Sequence, residues 1–266
     1  MTDLSTRPEW AQEKTGLAGT TVLVIGGAGG VGEGVVRAVL DAGAHAVALG
    51  RSRERLDDLA SRLAHPGLTV DTIDALAPNV TARAAELADQ HGPFDAVIVS
   101  VASWGDQGRK PALELTDDEW DALLASNLTA VFRLYRAFVP HIAARGILLQ
   151  LNGMSAEIPF PGAAGRALTA AAQKSLTRTI AAELGGGGPR VYEVVLGMIR
   201  TRARLQAGID QPDWIPASDV GWHVAELVAG TSPLAGHDLH YFVDAAAGPQ
   251  PTPGSPVVPT PAAIAR

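Results

Sequence analysis

A glycine-rich turn lies near the start of the chain, between an apolar run and an amphipathic stretch. IGGAGGVGEG occupies residues 25–34. Glycines at Gly26, Gly30 and Gly32 permit a tight turn and let backbone N–H groups approach a pyrophosphate, and the following helix N-terminus adds partial positive charge. Because Gly-Lys-Ser/Thr is absent, a P-loop is excluded. The turn predicts dinucleotide binding; the alternative is a glycine-rich turn that binds nothing.

A second candidate binding element follows the next apolar run, where the chain reads Gly50-Arg51-Ser52-Arg53. Dinucleotide folds that select NAD place a carboxylate here to hold the ribose hydroxyls. This chain has no acid at the end of the run, and it offers Arg51 with Ser52 beside it. A guanidinium suits a 2′-phosphate. We therefore favour NADP(H) over NAD(H); the alternative is an exposed arginine at a helix start.

These turns belong to an alternating series of short apolar runs and Ala/Leu-rich helical stretches. The predicted strands are 20–25, 45–50, 68–74, 94–101, 147–151, 190–196 and 237–244, and the predicted helices are 31–42, 53–64, 81–92, 117–144 and 164–184. Continuous apolar strands that alternate with helices indicate a mostly parallel sheet covered on both faces. We predict a single α/β domain with a doubly wound parallel sheet, a Rossmann fold.

Composition narrows the classes of protein. The chain has 266 residues, 47% of them apolar, a formal net charge of −7 and no cysteine. Disulfides, thiolate catalysis and cysteine-ligated metals are excluded, and the dispersed basic residues argue against nucleic acid or an anionic membrane as partner. The polar N-terminus and the lack of a spanning apolar run predict a cytoplasmic protein. We predict a flexible N-terminal segment (1–16), the domain (17–248) and a Pro-rich tail (249–266).

Together these residues resemble the short-chain dehydrogenase/reductase family over about residues 17–248. IGGAGGVG resembles the family's TGxxxGxG loop, and VVLGMIRT (194–201) resembles its VxPGxIxT signature. The resemblance implies that Asp74 contacts adenine and that Asn127 is the asparagine of the catalytic tetrad. It also implies that Ile199 and Thr201 meet the nicotinamide carboxamide.

The other three tetrad positions depart from the family. The resemblance aligns Gly153 with the catalytic serine, Arg166 with the tyrosine and Ala170 with the lysine. An arginine neither accepts nor readily releases a proton at neutral pH, but it stabilises a developing oxyanion by charge and bidentate hydrogen bonds. Asn127 and Arg166 are therefore the candidate catalytic residues, and no metal site is predicted.

Other side chains could serve as the acid, and other residues could line the substrate pocket. Glu157, with Ser155 near it, follows the fifth strand, and Tyr192 and Asp106 are further candidates; each is also explained by an exposed or packed position. The segment 199–216 is the predicted lid. Its basic residues Arg200, Arg202 and Arg204 and its Trp214 could form, with Arg166, a pocket for an anionic or aromatic small molecule, or could point to solvent.

We predict an atypical NADP(H)-binding oxidoreductase acting on a small organic carbonyl, imine or activated alkene. The alternatives are a non-catalytic nucleotide-binding or regulatory protein, and a non-redox cyclase or isomerase on the same fold. In the family, the helical regions corresponding to 117–144 and 164–184 form subunit interfaces. The resemblance therefore implies a homodimer or homotetramer, and the Ala-rich face of 167–182 would permit close packing.

Overall fold

Seven of the apolar runs form one parallel sheet in the computed structural model, which describes residues 7–12, 15–209 and 211–254. The sheet strands are β1 (Thr21–Ile25), β2 (His45–Gly50), β3 (Leu68–Thr72), β4 (Phe94–Val99), β5 (Ile142–Gly153), β6 (Arg190–Leu196) and β9 (Leu239–Phe242). Their order across the sheet is β3-β2-β1-β4-β5-β6-β9, and every neighbouring pair is parallel. Two further strands, β7 (Ile199–Arg200) and β8 (Ile215–Pro216), pair with each other beside it.

Helices cover both faces of the sheet. They are α1 (Gly30–Asp41), α2 (Arg53–Leu63), α3 (Val80–His91), α4 (Asp117–Leu124), α5 (Ala130–Phe138), α6 (Ala164–Leu184), α7 (Arg202–Gln206) and α8 (Ala217–Ala229). One core lies between the sheet and α1, α2 and α8, and the other between the sheet and α3, α5 and α6. Within β1, Val22 and Val24 face the first core while Leu23 and Ile25 face the second. The predicted doubly wound Rossmann fold is confirmed.

The long helix predicted for 117–144 contains one wider turn and ends early. A wider turn occupies Ala125–Thr129 between α4 and α5, and a short 3-10 turn at Val139–His141 ends the helical region. Pro140 lies in that turn, where it has no N–H to donate to a continuing helix. The chain then enters β5 at Ile142, five residues before the predicted start of that strand.

Helix α8 is absent from the sequence-based prediction. Its polar residues Ser218, Asp219, His223 and Glu226 fall on one side, but three of them, Ser218, His223 and Glu226, are buried, so the helix is covered by protein on nearly all sides. Two glycines bring it against α1. A Cβ on Gly34 would lie 2.1 Å from the carbonyl oxygen of Ala217, and one on Gly221 would lie 2.2 Å from that of Gly34. The two backbones therefore touch, which anchors the chain just after the predicted lid.

The described parts of both chain ends pack against the β9 edge of the sheet. Trp10, within the segment predicted to be flexible (1–16), contacts Phe242 edge-on at 5.6 Å between ring centroids, and its ring also lies over Gly248. At the start of the predicted tail (249–266), Gln250 exchanges two backbone hydrogen bonds of 2.8 Å with Tyr241. Residues 255–266 of that tail lie outside the described residues. Among the described helices, none combines the length and the apolar character needed to cross a bilayer.

Candidate active site

The glycine turn between β1 and α1 has the shape that a phosphate group needs. Gly26 has φ +87°, a conformation that other residues rarely adopt. A Cβ on Gly32 would lie 2.1 Å from the carbonyl oxygen of Gly26, so only glycine permits this close approach. The residue before α1 is Gly29, and no side chain caps the helix N-terminus. The free N–H groups and the helix dipole therefore remain available to an anion.

Arg51 and Asp74 line one cavity of about 360 Å³ beside this turn, beyond the C-terminal ends of β2 and β3. Ile73, Asn79 and Val80 contribute to the same cavity. Arg51 is exposed and forms no ion pair within the described part of the chain. The Asp74 carboxylate accepts a hydrogen bond from the N–H of Leu76 at 2.9 Å. The cavity thus brings a cation, a carboxylate and apolar walls together beyond the C-terminal ends of β2 and β3.

The other residues of the Arg51 segment are held by the protein itself. The Ser52 hydroxyl caps α2 by accepting from the N–H of Arg55 at 3.3 Å, and Arg53 pairs with Asp57 at 2.6 Å. Arg55, which the sequence prediction did not include, reaches from α2 to the glycine turn and donates to the carbonyl oxygen of Ala28 at 2.9 Å. Arg51 is therefore the basic residue of this segment whose side chain has no partner among the described residues.

Asn127 is fixed from two sides. Its side-chain oxygen accepts from the N–H of Ser103 at 2.7 Å, and its amide donates to the Ser103 carbonyl at 3.1 Å. Its own backbone carbonyl accepts from the Gln173 side chain at 2.6 Å. The two bonds to Ser103 connect the Ala125–Thr129 turn to the loop after β4, and the bond from Gln173 connects it to α6.

Arg166 and Ala170 lie on the first turns of α6, near the end of β5. The Asn152 amide donates to the carbonyl oxygen of Ala170 at 2.8 Å, which brings Gly153 close to α6. The Arg166 guanidinium carbon lies 4.4 Å from the centroid of the Trp104 ring, one residue past the Asn127-bound Ser103. These contacts, with those of Asn127, connect the segments that carry the four aligned positions.

The arginine at this site is electrostatically strained. Burial lowers the pKa of Arg166, and the neighbouring guanidiniums of Arg204 and Arg109 lower it further. An arginine side chain nevertheless stays protonated in proteins. Arg166 is therefore a donor of hydrogen bonds and positive charge rather than a source of a proton.

Each of the three tyrosine hydroxyls in the sequence is bound elsewhere. Tyr135 donates to Gln150 at 2.8 Å within the core, and Tyr192 donates to the carbonyl of Ala235 at 3.2 Å. Tyr241 donates to Glu157 at 3.0 Å, and burial together with that carboxylate raises the pKa of Tyr241 to about 12. None of these phenols is held at the start of α6.

The alternative acids have partners of their own. Glu157 forms a 2.5 Å ion pair with Lys174 as well as the bond from Tyr241, so neither Glu157 nor Lys174 is a free group. Asp106 is exposed on the loop after β4. Within the described residues, no three histidine or acidic side chains are grouped as metal ligands.

The predicted lid begins against the glycine turn. A Cβ on Gly30 would lie 2.7 Å from Cγ2 of Thr201, so the two segments are in contact. Ile199 is buried, and its carbonyl oxygen accepts from Arg204 at 2.6 Å. Arg204 also lies over Trp214, 4.8 Å from the ring centroid.

One lid arginine is not available to a ligand. Arg202 pairs with Glu33 at 3.3 Å and with Asp58 at 3.2 Å. It therefore neutralises acids of α1 and α2 and does not contribute to the predicted cationic pocket. Arg204 and Arg166 have no such acidic partner among the described residues and remain candidates for that pocket.

Three aromatic and basic residues of the cleft were not assigned to it from the sequence. Trp104 and Phe160, from the loops after β4 and β5, lie 6.5 Å apart between ring centroids. Arg109 lies 5.4 Å from the centroid of Trp104 and 5.6 Å from that of Phe160. No periodicity marks such loop residues, so only the folded chain brings them together.

A buried polar network lies beneath the site. The carboxylate of Glu193, in β6, accepts from Asn152 at 2.8 Å. Burial raises the pKa of Glu193 to about 7, although the hydrogen bond from Asn152 opposes the shift. The Asn152 amide therefore links this carboxyl group to the backbone of α6 at Ala170.

Comparison with known proteins agrees with this architecture. The family model described as short chain dehydrogenase matches residues 20–211. Gluconate 5-dehydrogenase of Gluconobacter oxydans is 30% identical over 227 residues, which cover 80% of this chain and 86% of that protein. The chain belongs to the short-chain dehydrogenase/reductase family, a family of oxidoreductases that bind a nicotinamide cofactor.

Solved structures are similar over most of the chain. An NADPH-bound short chain oxidoreductase of Pseudomonas aeruginosa, described as containing an atypical catalytic center, has a TM-score of 0.70 and 25% identity, covering 83% of this chain and 92% of that one. A dehydrogenase/reductase from Sinorhizobium meliloti has a TM-score of 0.71 and 24% identity, covering 82% and 90%. The second similarity concerns the fold alone.

Proposed function

We propose that this protein is an NADP(H)-dependent oxidoreductase whose active site works without the usual serine, tyrosine and lysine. The observation that carries the proposal is the position of Arg166, stacked on Trp104 beside the Asn127-bound loop, while every tyrosine hydroxyl is bound elsewhere. The NADPH-bound relative with an atypical catalytic center offers a precedent within the family.

The residues present fit the cofactor. The uncapped start of α1 and the close turn at Gly26 suit the pyrophosphate, and Asp74 suits the adenine. Arg51 suits a 2′-phosphate because it is exposed and has no acidic partner among the described residues. When bound, such a cofactor supplies or accepts a hydride.

The site chemistry favours a neutral or anionic substrate. Arg166 would hold a carbonyl or carboxylate oxygen by charge-assisted hydrogen bonds and would stabilise negative charge that develops on it. A cationic iminium would be repelled by Arg166, Arg204 and Arg109. We therefore favour an activated carbonyl or an activated alkene conjugated to an oxygen acceptor, with the final proton taken from water.

A second candidate is a regulatory protein that binds the nucleotide without turnover. Ala170 favours it, because a methyl group at that position provides neither charge nor a hydrogen bond for a ribose. Direct binding and turnover separate the two candidates.

The experiment is a fluorescence titration with NADPH and NADH, followed by an NADPH oxidation assay over carbonyls, imines and activated alkenes. We expect tight NADPH binding and oxidation with a subset of the oxygen-bearing substrates. Binding without oxidation of any compound would instead support the regulatory protein, and turnover without NADPH consumption would support a cyclase or isomerase. A chain that binds neither nucleotide would contradict the cofactor assignment.

The assembly we propose is a homodimer or homotetramer formed through α5 and α6. Phe132 of α5 is 44% exposed and Leu168 of α6 is 45% exposed, so each helix presents a large apolar side chain at the surface. Burial of both against a second copy of the chain would remove this apolar surface from water.

A further inference from the structure

Three arginines from different segments lie near one another beside the candidate active site. Arg109 comes from the loop after β4, Arg166 from α6 and Arg204 from α7. Arg109 and Arg166 lie within 5.4 and 4.4 Å of the same Trp104 ring centroid. Burial is the main cause of the lowered pKa of Arg166, and the charge of Arg204 lowers it further. Burial is likewise the main cause of the lowered pKa of Arg204, and the charge of Arg109 lowers it further.

No carboxylate compensates this charge in the described part of the chain. Lys110, Arg202 and the other paired bases have acidic partners within 4 Å, whereas Arg109, Arg166 and Arg204 have none. Arg166 and Arg204 are half-buried, so solvent screens them only in part. Holding three like charges together costs free energy that an anion would recover.

Each of these arginines lies over at least one aromatic ring, which orients its guanidinium group. Trp104, Phe160 and Trp214 each lie within 6 Å of at least one guanidinium carbon. A guanidinium stacked on an indole keeps its N–H groups directed outward in its own plane, where they match the geometry of a carboxylate. The same rings offer flat apolar surface to a conjugated ligand.

We infer that Arg109, Arg166 and Arg204 form the recognition site for a planar, conjugated organic anion, in which the carboxylate binds the guanidiniums and the ring system packs on Trp104, Phe160 or Trp214. This inference rests on the proposed function, since it names the class of substrate or effector for the same cleft. It does not require hydride transfer, because binding of the anion is a property of the apoprotein surface and of the NADPH-loaded protein alike.

The test compares trans-cinnamate with its uncharged counterpart trans-cinnamamide, by calorimetry on the full chain, with and without saturating NADPH. Loss of one charge-assisted contact typically costs about tenfold or more in affinity. We expect cinnamate to bind at least about tenfold more tightly than the amide, and its affinity to fall as salt is added.

Substitution of single arginines tests which side chains bind cinnamate. Arg166→Gln and Arg109→Gln should each weaken cinnamate binding by about tenfold while leaving cinnamamide binding unchanged. Arg178→Gln, an exposed arginine further along α6, is the matched control and should change neither.

Equal affinities for acid and amide, no binding of either at millimolar concentration, or an equal loss with Arg178→Gln would overturn the inference. Competition between cinnamate and NADPH would also overturn it, because the arginines would then belong to the cofactor site. Failure of NADPH to bind, with the cinnamate preference retained, would refute the proposed function and leave the anion site standing.

Discussion

The Gln173 side chain donates to the backbone carbonyl of Asn127 at 2.6 Å. This bond fixes the distance between α6 and the Ala125–Thr129 turn without the help of the side chains at 166 and 170. This part of the frame of the active site is therefore held by the backbone of Asn127 and the side chain of Gln173, and it does not depend on the side chains at positions 166 and 170.

Because the contact between α6 and the Ala125–Thr129 turn does not depend on the side chains at positions 166 and 170, the double variant Arg166→Tyr with Ala170→Lys should gain carbonyl reductase activity. A positioned general acid contributes about 10²–10⁴ in rate. We expect an increase within that range for simple aldehydes, measured as NADPH oxidation. Arg166→Phe with Ala170→Lys is the control that lacks only the hydroxyl; an equal gain in that variant, or no gain in either, would count against the alignment of these positions.

Arg51 should determine the choice between the two nicotinamide cofactors. Arg51→Gln should weaken NADPH binding by about tenfold or more, through loss of charge-assisted bonds to the 2′-phosphate, and leave NADH binding nearly unchanged. Arg53→Gln is a matched control, since Arg53 is already paired with Asp57. Parallel fluorescence titrations would measure both. A similar loss of affinity for NADH would show that Arg51 does not bind the 2′-phosphate selectively.

The buried pair His223 and His240 should make stability fall in mild acid. His240 Nε2 faces the carbonyls of Leu234 and His237, so His240 Nδ1 accepts from His223 Nε2 at 2.9 Å and both rings are neutral. Burial lowers the pKa of His223 to about 3, from 6.5.

Between those two values the unfolded chain binds the extra proton, so stability rises with pH by up to about 1.4 kcal/mol per pH unit for each such histidine. His223→Gln, which keeps the Nε2 donor, should flatten this part of the pH profile of Tm. His65→Gln removes an exposed histidine and should leave the slope intact. Identical slopes in wild type and His223→Gln would contradict the assignment.

Glu193 should change the pH dependence of stability in the direction opposite to that of His223. Its pKa is about 7 in the folded chain against an ordinary value of 4.5, so the folded state holds the extra proton between these values and stability falls as pH rises through that window. Glu193→Gln removes the ionisable group and should be more stable than wild type above pH ~7, by on the order of 3 kcal/mol. Urea unfolding at several pH values measures this, with the exposed Glu183→Gln as control. A constant difference at all pH values would argue against a raised pKa.

The oligomer should depend on the exposed apolar residues of α5 and α6. Phe132→Asp and Leu168→Asp should each shift the chain toward monomer, because a charge at a packed interface loses its hydration. Light scattering after size exclusion measures the mass. Ile209→Asp changes another exposed apolar residue, 37% exposed on the lid, and should not alter the assembly. A wild-type monomer would end the proposal at once.

Features that depend on neighbours in the chain were predictable from the sequence. The glycine turn, the sheet strands and the exact span of α6 follow from local pattern, since a parallel strand is continuously apolar and a tight turn needs glycine. Helix α8 was not predicted; its polar side chains fall on one face, but the folded chain buries most of them, and that burial depends on tertiary contacts.

Side-chain partners distant in sequence were not predictable. Arg202 and Glu33 are 169 residues apart, and nothing near Arg202 indicates that its charge is neutralised. The same holds for Arg109 and Arg166, which meet on Trp104 only after the loop after β4 folds over α6. The sequence indicated Arg166, Arg202 and Arg204 as candidates, whereas the tertiary contacts pair Arg202 with acids and add Arg109.

The packing of Trp10 over Gly248 has a practical consequence. These two described segments lie together at the β9 edge, whereas the Arg51 cavity lies near β2 and β3, about 25–30 Å away at roughly 4.8 Å per strand. A solid support attached through residues of the β9 edge would hold the protein with its nucleotide cleft turned away from the support. An energy-transfer dye placed there would report ligand entry at the far edge without touching it.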